Sequence, residues 1–407
     1  VRHEVTQARR IVVKLGTHVV THSNGEFALG RVGNLVESLA HLHRAGHELL
    51  VVSSGAVGLG RGVFGLRERP RSLGLRQACA AAGQGRLMAH YDQAFSHFGV
   101  VSAQVLLTQE DFADNDRTLC LRTTLLRLLE LKAVPILNEN DSVSVRELIG
   151  HAGSNGSKSA NVFGDNDELA ARVALCVGAD LLILLTDVDG VFDANPNVDR
   201  NAKRISIIES VNSEHLARTA GTSAGGTGGM ASKIRAAKLA QDSGIDVVIA
   251  RGGEANILER CLRGEDVGTW IVARERKAAK LRRRAKDKPS TGILVLNGGA
   301  VKALLHRKSS LLPIGVIEVK GEFTTADWVE LRDASGCVLG HGQANYDAHE
   351  CRLLAGQHSE RIGELLGWVG YDALVNRQNM DLVATSLFQP ETPATSASTT
   401  HFPEDID

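Results

Sequence analysis

Two lysines stand where lysine is expensive to place. Lys14 interrupts the apolar run IVVKLG (11–16), and Lys233 closes the glycine-rich segment GGTGGMASK (225–233). A lysine inside a buried strand is unfavourable unless it is paired or faces a polar site. Gly16 and Thr17 follow Lys14 directly, where the strand must turn. A solvated edge strand is the plainer alternative. Glycines 225, 226, 228 and 229 run into the helical pattern ASKIRAAKLA. Backbone N–H groups at such a helix start cradle anions, and the glycines let a polyphosphate approach the chain. A lysine in the first turn opposes the helix macrodipole, so its position needs another reason. A flexible linker with a surface lysine is again the plainer reading.

Other polar clusters fall at the ends of apolar runs. SSGA (53–56) closes one run and opens a helical pattern, suited to anion binding or to an ordinary cap by Ser53 or Ser54. NEND (138–141) follows AVPIL, and GDNDE (164–168) precedes a helical pattern. Either alone reads as turn and capping chemistry. Together they suit a zwitterion, with carboxylates for an ammonium and amides for either charge. TDVDGVFDANP (186–196) leaves LLILL as a turn-rich segment able to cover a nucleotide, or simply to turn.

Several other chemistries are excluded. GRGVFG (60–65) fits a dinucleotide fingerprint but follows a helix start instead of a strand. No G-x-x-x-x-G-K-[ST] P-loop occurs. His43 and His47 straddle Gly46 at the expected end of a helix, which suits a solvated terminus better than zinc. No Ser/His/Asp arrangement or glycosidase carboxylate pair is recognisable, and no metal ligand set is expected.

The elements that must hold these residues alternate regularly. Strand-like runs at 11–16, 48–54, 100–107, 133–138, 181–186 and 246–250 are separated by helical spacing. One apolar stripe, Val32, Leu35, Val36, Leu39 and Leu42, shows it clearly. Continuous apolar strands between helices imply a doubly wound, mainly parallel α/β sheet covered on both faces. Its ligands sit beyond the carboxyl ends of the strands. After the basic run ARERKAAKLRRRAKDKP (273–289), strands at 292–296, 315–320 and 328–333 come at short spacing, as in a small β-rich domain. The tail from Phe388 has no Lys or Arg and is rich in Pro, Ser and Thr, so disorder is expected there.

With 407 residues and 43% hydrophobic composition, two or three globular domains are expected without disulfides. The six cysteines lack any C-x-x-C pair and read as reduced thiols. No apolar run approaches the roughly 20 residues of a membrane span. The first ten residues lack a signal-peptide apolar region, so a cytoplasmic protein is expected.

In order and spacing, VVKLGT, SSGAV, LNEND, FGDND, LLTDVDGVF and GTGGMASK resemble the amino-acid kinase superfamily, and within it the branch that phosphorylates glutamate. SSLLPIGV (309–316), VKGEF (319–323) and residues 340–367 are similar to a PUA domain. The resemblance covers residues 10 to 380. It implies an amino-acid kinase catalytic domain over 1–272, a basic linker over 273–290, a PUA-like domain over 291–385 and a tail over 386–407.

The resemblance also assigns roles. Lys14 and Lys233 would meet the transferring phosphoryl group, with Asp167 holding both. Ser54, Gly55, Asp141 and Asn166 would contact L-glutamate. Lys14, Thr186, Asp187 and the loop Thr227, Gly228, Gly229, Met230, Ala231, Ser232 and Lys233 would contact ATP, with Mg²⁺ arriving on the nucleotide. The acceptor would be a carboxylate, with an ordinary pKa of about 4.3, already ionised at neutral pH. No general base is then needed. The obstacle is bringing an anion to a polyanion, which the lysines and the amides of Gly16 and Gly55 would offset.

Feedback by proline and a homo-oligomer are further implications. The Gly/Ser-rich segment 142–163 is longer than the corresponding link in many bacterial relatives, and Ala326 stands where a glycine is usual. Two alternatives stay open. One is a sister kinase acting on N-acetylglutamate or aspartate. The other is an RNA-binding regulator using the basic run and the PUA-like domain, against which the net charge of −1 speaks.

Overall fold

A computed structural model of the chain describes residues 2–22, 24–68, 70–143, 166–196, 198–199, 201–212, 229–273, 290–306, 309–368 and 370–382. The chain divides into two compact units, Val1–Arg284 and Ala285–Asp407. The tail over 386–407 and all of the basic linker except residues 273 and 290 lie outside the described residues.

The β-branched runs of the first unit become strands: β1 (Arg10–Leu15), β2 (Glu48–Ser53), β3 (Val101–Leu107), β4 (Ala133–Glu139), β5 (Leu181–Thr186), β6 (Ile207–Ile208), β7 (Asp246–Arg251) and β8 (Thr269–Ile271). They form one sheet in the order β3-β4-β2-β1-β5-β7-β8-β6. Neighbours are parallel except β7 and β8. The chain therefore winds outward from β1 in both directions, which opens a crevice at the carboxyl ends of the central strands.

Lys14 lies in this central strand, between Val52 of β2 and Leu184 of β5, so the solvated-edge reading is excluded. The two-residue period of a strand sends its neighbours to opposite faces. Val13 and Leu15 join one core with Leu39 and Tyr91, beneath the helices Leu29–Arg44 and Leu73–Ser96. Val12 joins the other core with Val52, Val173 and Ile234. Lys14 shares the face of Val12. That face is covered by the helices Asn166–Val177 and Met230–Asp242, which pack on each other.

The 32–42 stripe is buried as its spacing predicts. Both-face burial fails at β3, an edge strand on which Val101 and Leu106 are exposed. The apolar run there is an unreliable guide because, among the described residues, one flank has no neighbouring strand. All six cysteines are free thiols.

GRGVFG finds its explanation in packing. Gly60 lies in the helix Ala56–Val63, where a Cβ would sit 1.7 Å from the carbonyl oxygen of Cys79. A Cβ on Gly83 of the facing helix would sit 1.8 Å from that of Ala56. Gly60 and Gly83 let the two helix backbones touch.

The second unit carries β9 (Gly292–Leu296), β10 (Val316–Gly321), β11 (Trp328–Asp333), β12 (Val338–Gln343) and β13 (Met380–Leu382) in the order β10-β9-β11-β12-β13. Among the described residues, β9 and β11 run parallel and the other paired neighbours antiparallel. Its separate core includes Leu294, Leu331 and Tyr346. Asp347 and Glu350 form a capping box that starts the helix Ala348–Leu354.

Candidate active site

Four strand ends converge on the crevice. β1 delivers Lys14, β2 delivers Ser53, β4 delivers Asn138 and β5 delivers Thr186. Two helix N-termini meet them. The helix Asn166–Val177 brings Asp167 in its first turn, where the macrodipole favours a carboxylate. The helix Met230–Asp242 brings Lys233, held there by Ala-rich helix-forming sequence against that same dipole.

Asp167 accounts for both lysines. Lys14 Nζ lies 2.6 Å from its Oδ1, and Lys233 Nζ lies 3.1 Å from its Oδ2. The carboxylate is wholly buried, and Lys14 and Lys233 are 4% and 5% exposed. Burial pushes the Asp167 carboxyl up, but the two ammonium groups together outweigh it and hold the group below its ordinary value. Among the described residues, two ammonium groups thus share one carboxylate. In a water-poor site ammonium groups attract an anion far more strongly than they would in bulk solvent.

Beside this cluster lies a polar chain. Asn166 Nδ2 donates to Ser54 Oγ at 2.9 Å, to Asn138 Oδ1 at 3.0 Å and to the Ser53 carbonyl at 3.3 Å. Asn138 Nδ2 in turn donates to Gln84 Oε1 at 2.9 Å. Ser53 Oγ and Tyr91 Oη are 2.8 Å apart. Asp141 stands half-buried in the turn after β4. Thr186 Oγ1 donates to Asp187 Oδ1 at 3.0 Å on the opposite side of β1.

Neither Ser53 nor Ser54 caps the following helix. Gly55 is the capping residue, with φ of +114°, and a Cβ there would lie 3.0 Å from Val20. The Gly16 amide, expected to face an anion, instead donates to the Leu185 carbonyl at 3.2 Å and ties β1 to β5. Gly229, Met230, Ala231 and Ser232 lead into the Lys233 turn, whereas Thr227 and Gly228 lie outside the described residues. Of the segment 142–163, only residues 142 and 143 are described.

Asn138 belongs to the NEND cluster expected to meet a zwitterion, whereas Gln84, Ser53 and Tyr91 join this network with no such role in the sequence pattern. For Gln84 one signal was available. A lone polar side chain beside Gly83 in the Ala-rich stretch ACAAAGQG marks a point of close backbone approach.

A doubly wound sheet with two buried ammonium groups at its carboxyl edge suits the binding of an anionic small molecule. The family model of the amino acid kinase family matches residues 9–251, and that of the PUA domain matches residues 292–366. Proteins named glutamate 5-kinase match almost end to end. That of Moorella thermoacetica is 43% identical over 93% of this chain and 97% of its own length. That of Carboxydothermus hydrogenoformans is 41% identical over 94% and 100%. That of Myxococcus xanthus is 42% identical over 93% and 97%. Among solved structures, a UMP kinase from Bacillus anthracis aligns over 66% of this chain and 97% of its own at 14% identity, with a TM-score of 0.45. The chain belongs to the amino acid kinase family, in its glutamate 5-kinase branch.

Proposed function

We propose that this chain transfers the γ-phosphoryl group of ATP to the side-chain carboxylate of L-glutamate, yielding L-glutamyl 5-phosphate for proline synthesis. The observation that carries the reading is the pair of lysines bound to one buried carboxylate. Their ammonium groups fit a polyphosphate and the oxygens of a phosphoryl group in transfer. The glutamate carboxylate needs no base, being ionised well below neutral pH. What the chain must supply is alignment and charge. Lys14 and Lys233 neutralise the approaching anions, and Asp167 fixes both ammonium groups before the substrates arrive, so that little reorganisation is needed during transfer.

Ser54, Gly55, Asp141 and Asn166 hold the amino acid in this reading. Thr186, Asp187 and residues 227–233 hold the nucleotide, which carries Mg²⁺ on its phosphates. The cytoplasmic location, proline feedback and homo-oligomer expected from the sequence belong to the same reading. A proline titration and sedimentation of the same preparation test the last two.

The main test is an ATP-dependent assay in which hydroxylamine traps the acyl phosphate. Turnover with glutamate and little with N-acetylglutamate or aspartate is expected. The opposite pattern moves the chain to a sister activity.

A further inference from the structure

The amide chain beside the lysines has a direction. The Ser53 carbonyl can only accept, so Asn166 must turn its Nδ2 toward it, and does so at 3.3 Å. The same Nδ2 serves Ser54 Oγ and Asn138 Oδ1, which commits both hydrogens of the amide. Asn138, having given its oxygen to Asn166, must donate from Nδ2, and Gln84 Oε1 receives that bond at 2.9 Å. Polarity set by the backbone therefore passes through two side chains and ends on the long helix Leu73–Ser96.

This direction limits what the pocket can offer. Asn166 has only its carbonyl oxygen left for a ligand, and the Asp141 carboxylate also accepts. Ser54, whose oxygen accepts from Asn166, keeps its hydroxyl hydrogen to give. Two acceptors suit an ammonium, and the hydroxyl suits a carboxylate.

We infer that Gln84 is a positioning residue for the amino-acid pocket: by accepting from Asn138 it holds Asn166 with its oxygen toward the substrate, and thereby selects acceptors that carry an α-ammonium. The inference rests on the glutamate reading above. Gln84 touches no substrate in it. Without an acceptor at position 84, the Asn138 amide loses its partner and is free to turn. Asn166 then keeps its bonds to the Ser53 carbonyl and Ser54 Oγ but loses the firm acceptor at Asn138, which loosens the presentation of its oxygen.

The test compares wild type, Gln84→Glu and Gln84→Leu in the hydroxamate assay, with glutarate, which lacks the ammonium, as a competitive inhibitor. Thermal unfolding of each protein is followed in parallel. Glutamate offers a carboxylate oxygen where the amide oxygen was, so Gln84→Glu should keep the KM for glutamate within about twofold. Gln84→Leu should raise that KM about tenfold, the loss expected for one buried hydrogen bond. It should leave the KM for ATP and the inhibition constant of glutarate unchanged. An unchanged glutamate KM in Gln84→Leu overturns the inference. So does an equal weakening of glutamate and glutarate, or a Gln84→Glu variant as impaired as Gln84→Leu. Failure of the underlying reading is distinct, since it appears in the wild type as absence of turnover with glutamate.

Discussion

Lys14 and Lys233 come from elements 219 residues apart in number and meet on one carboxylate, so neither has a role separable from Asp167. Lys233→Ala should lower kcat in the hydroxamate assay by about a thousandfold, the scale seen when one donor to developing charge is removed. Full turnover in that variant would reject the site. Asp167→Asn removes the counter-charge and leaves two buried cations facing each other. A loss of about 3 kcal/mol in denaturant unfolding at pH 7 is expected, as for other broken buried ion pairs. The pH dependence follows from the sign of the shift. The folded-state pKa of Asp167 lies below its ordinary value, so the carboxylate's stabilisation is fully present above that ordinary value, about 3.9. It fades only as pH falls below it toward the folded-state pKa. In unfolding curves between pH 2 and pH 7, Asp167→Asn should therefore flatten the acid limb and leave the neutral plateau level.

At the scale of elements, the contact between the helices Ala56–Val63 and Leu73–Ser96 joins the end of β2 to the helix bearing Gln84. Gly60 and Gly83 bring these backbones together, and the contacts a Cβ would meet are backbone atoms that cannot swing aside. Gly83→Ala must separate the helices. Overpacking of this kind typically costs 1–3 kcal/mol. We expect a loss of about 2 kcal/mol in chemical unfolding, together with a raised KM for glutamate and a KM for ATP within about twofold of wild type, because Thr186 and Lys233 sit on other elements. Equal effects on both substrates would show that the contact supports the whole crevice. The same contact explains how a glycine pattern can imitate a dinucleotide fingerprint: close packing and phosphate approach both require a missing side chain.

At the scale of the whole molecule, each of the two units has its own core, and a change confined to one core can be followed by itself. Ala326 offers such a change. It adopts φ of +66° in the turn between Thr324 and Asp327, a left-handed conformation that penalises any Cβ. Ala326→Gly should stabilise the second unit by about 0.5–1 kcal/mol, the relieved strain exceeding the added chain entropy of glycine. Hydrogen exchange in the full chain checks it: protection should rise in β11 and β12 and stay constant in β1 to β8, with kcat unchanged.

Much of this molecule was legible in the order of its residues. Continuous apolar runs at β1, β2, β4, β5 and β7 follow from burial on both faces, and a strand's two-residue period is written locally. The conspicuous placement of Lys14 and Lys233 was legible too, because a cation in an apolar strand or a helix's first turn conflicts with its surroundings. Tertiary structure alone decided which conflicts resolve one another. Only the strand order puts β1 between β2 and β5, and only the helix packing brings Asp167 between the two lysines. The Gln84–Asn138–Asn166 chain was illegible for the same reason. Hydrogen bonds between side chains 28 and 54 positions apart depend on distances that local sequence does not encode, and their direction was set by one backbone carbonyl at the end of β2.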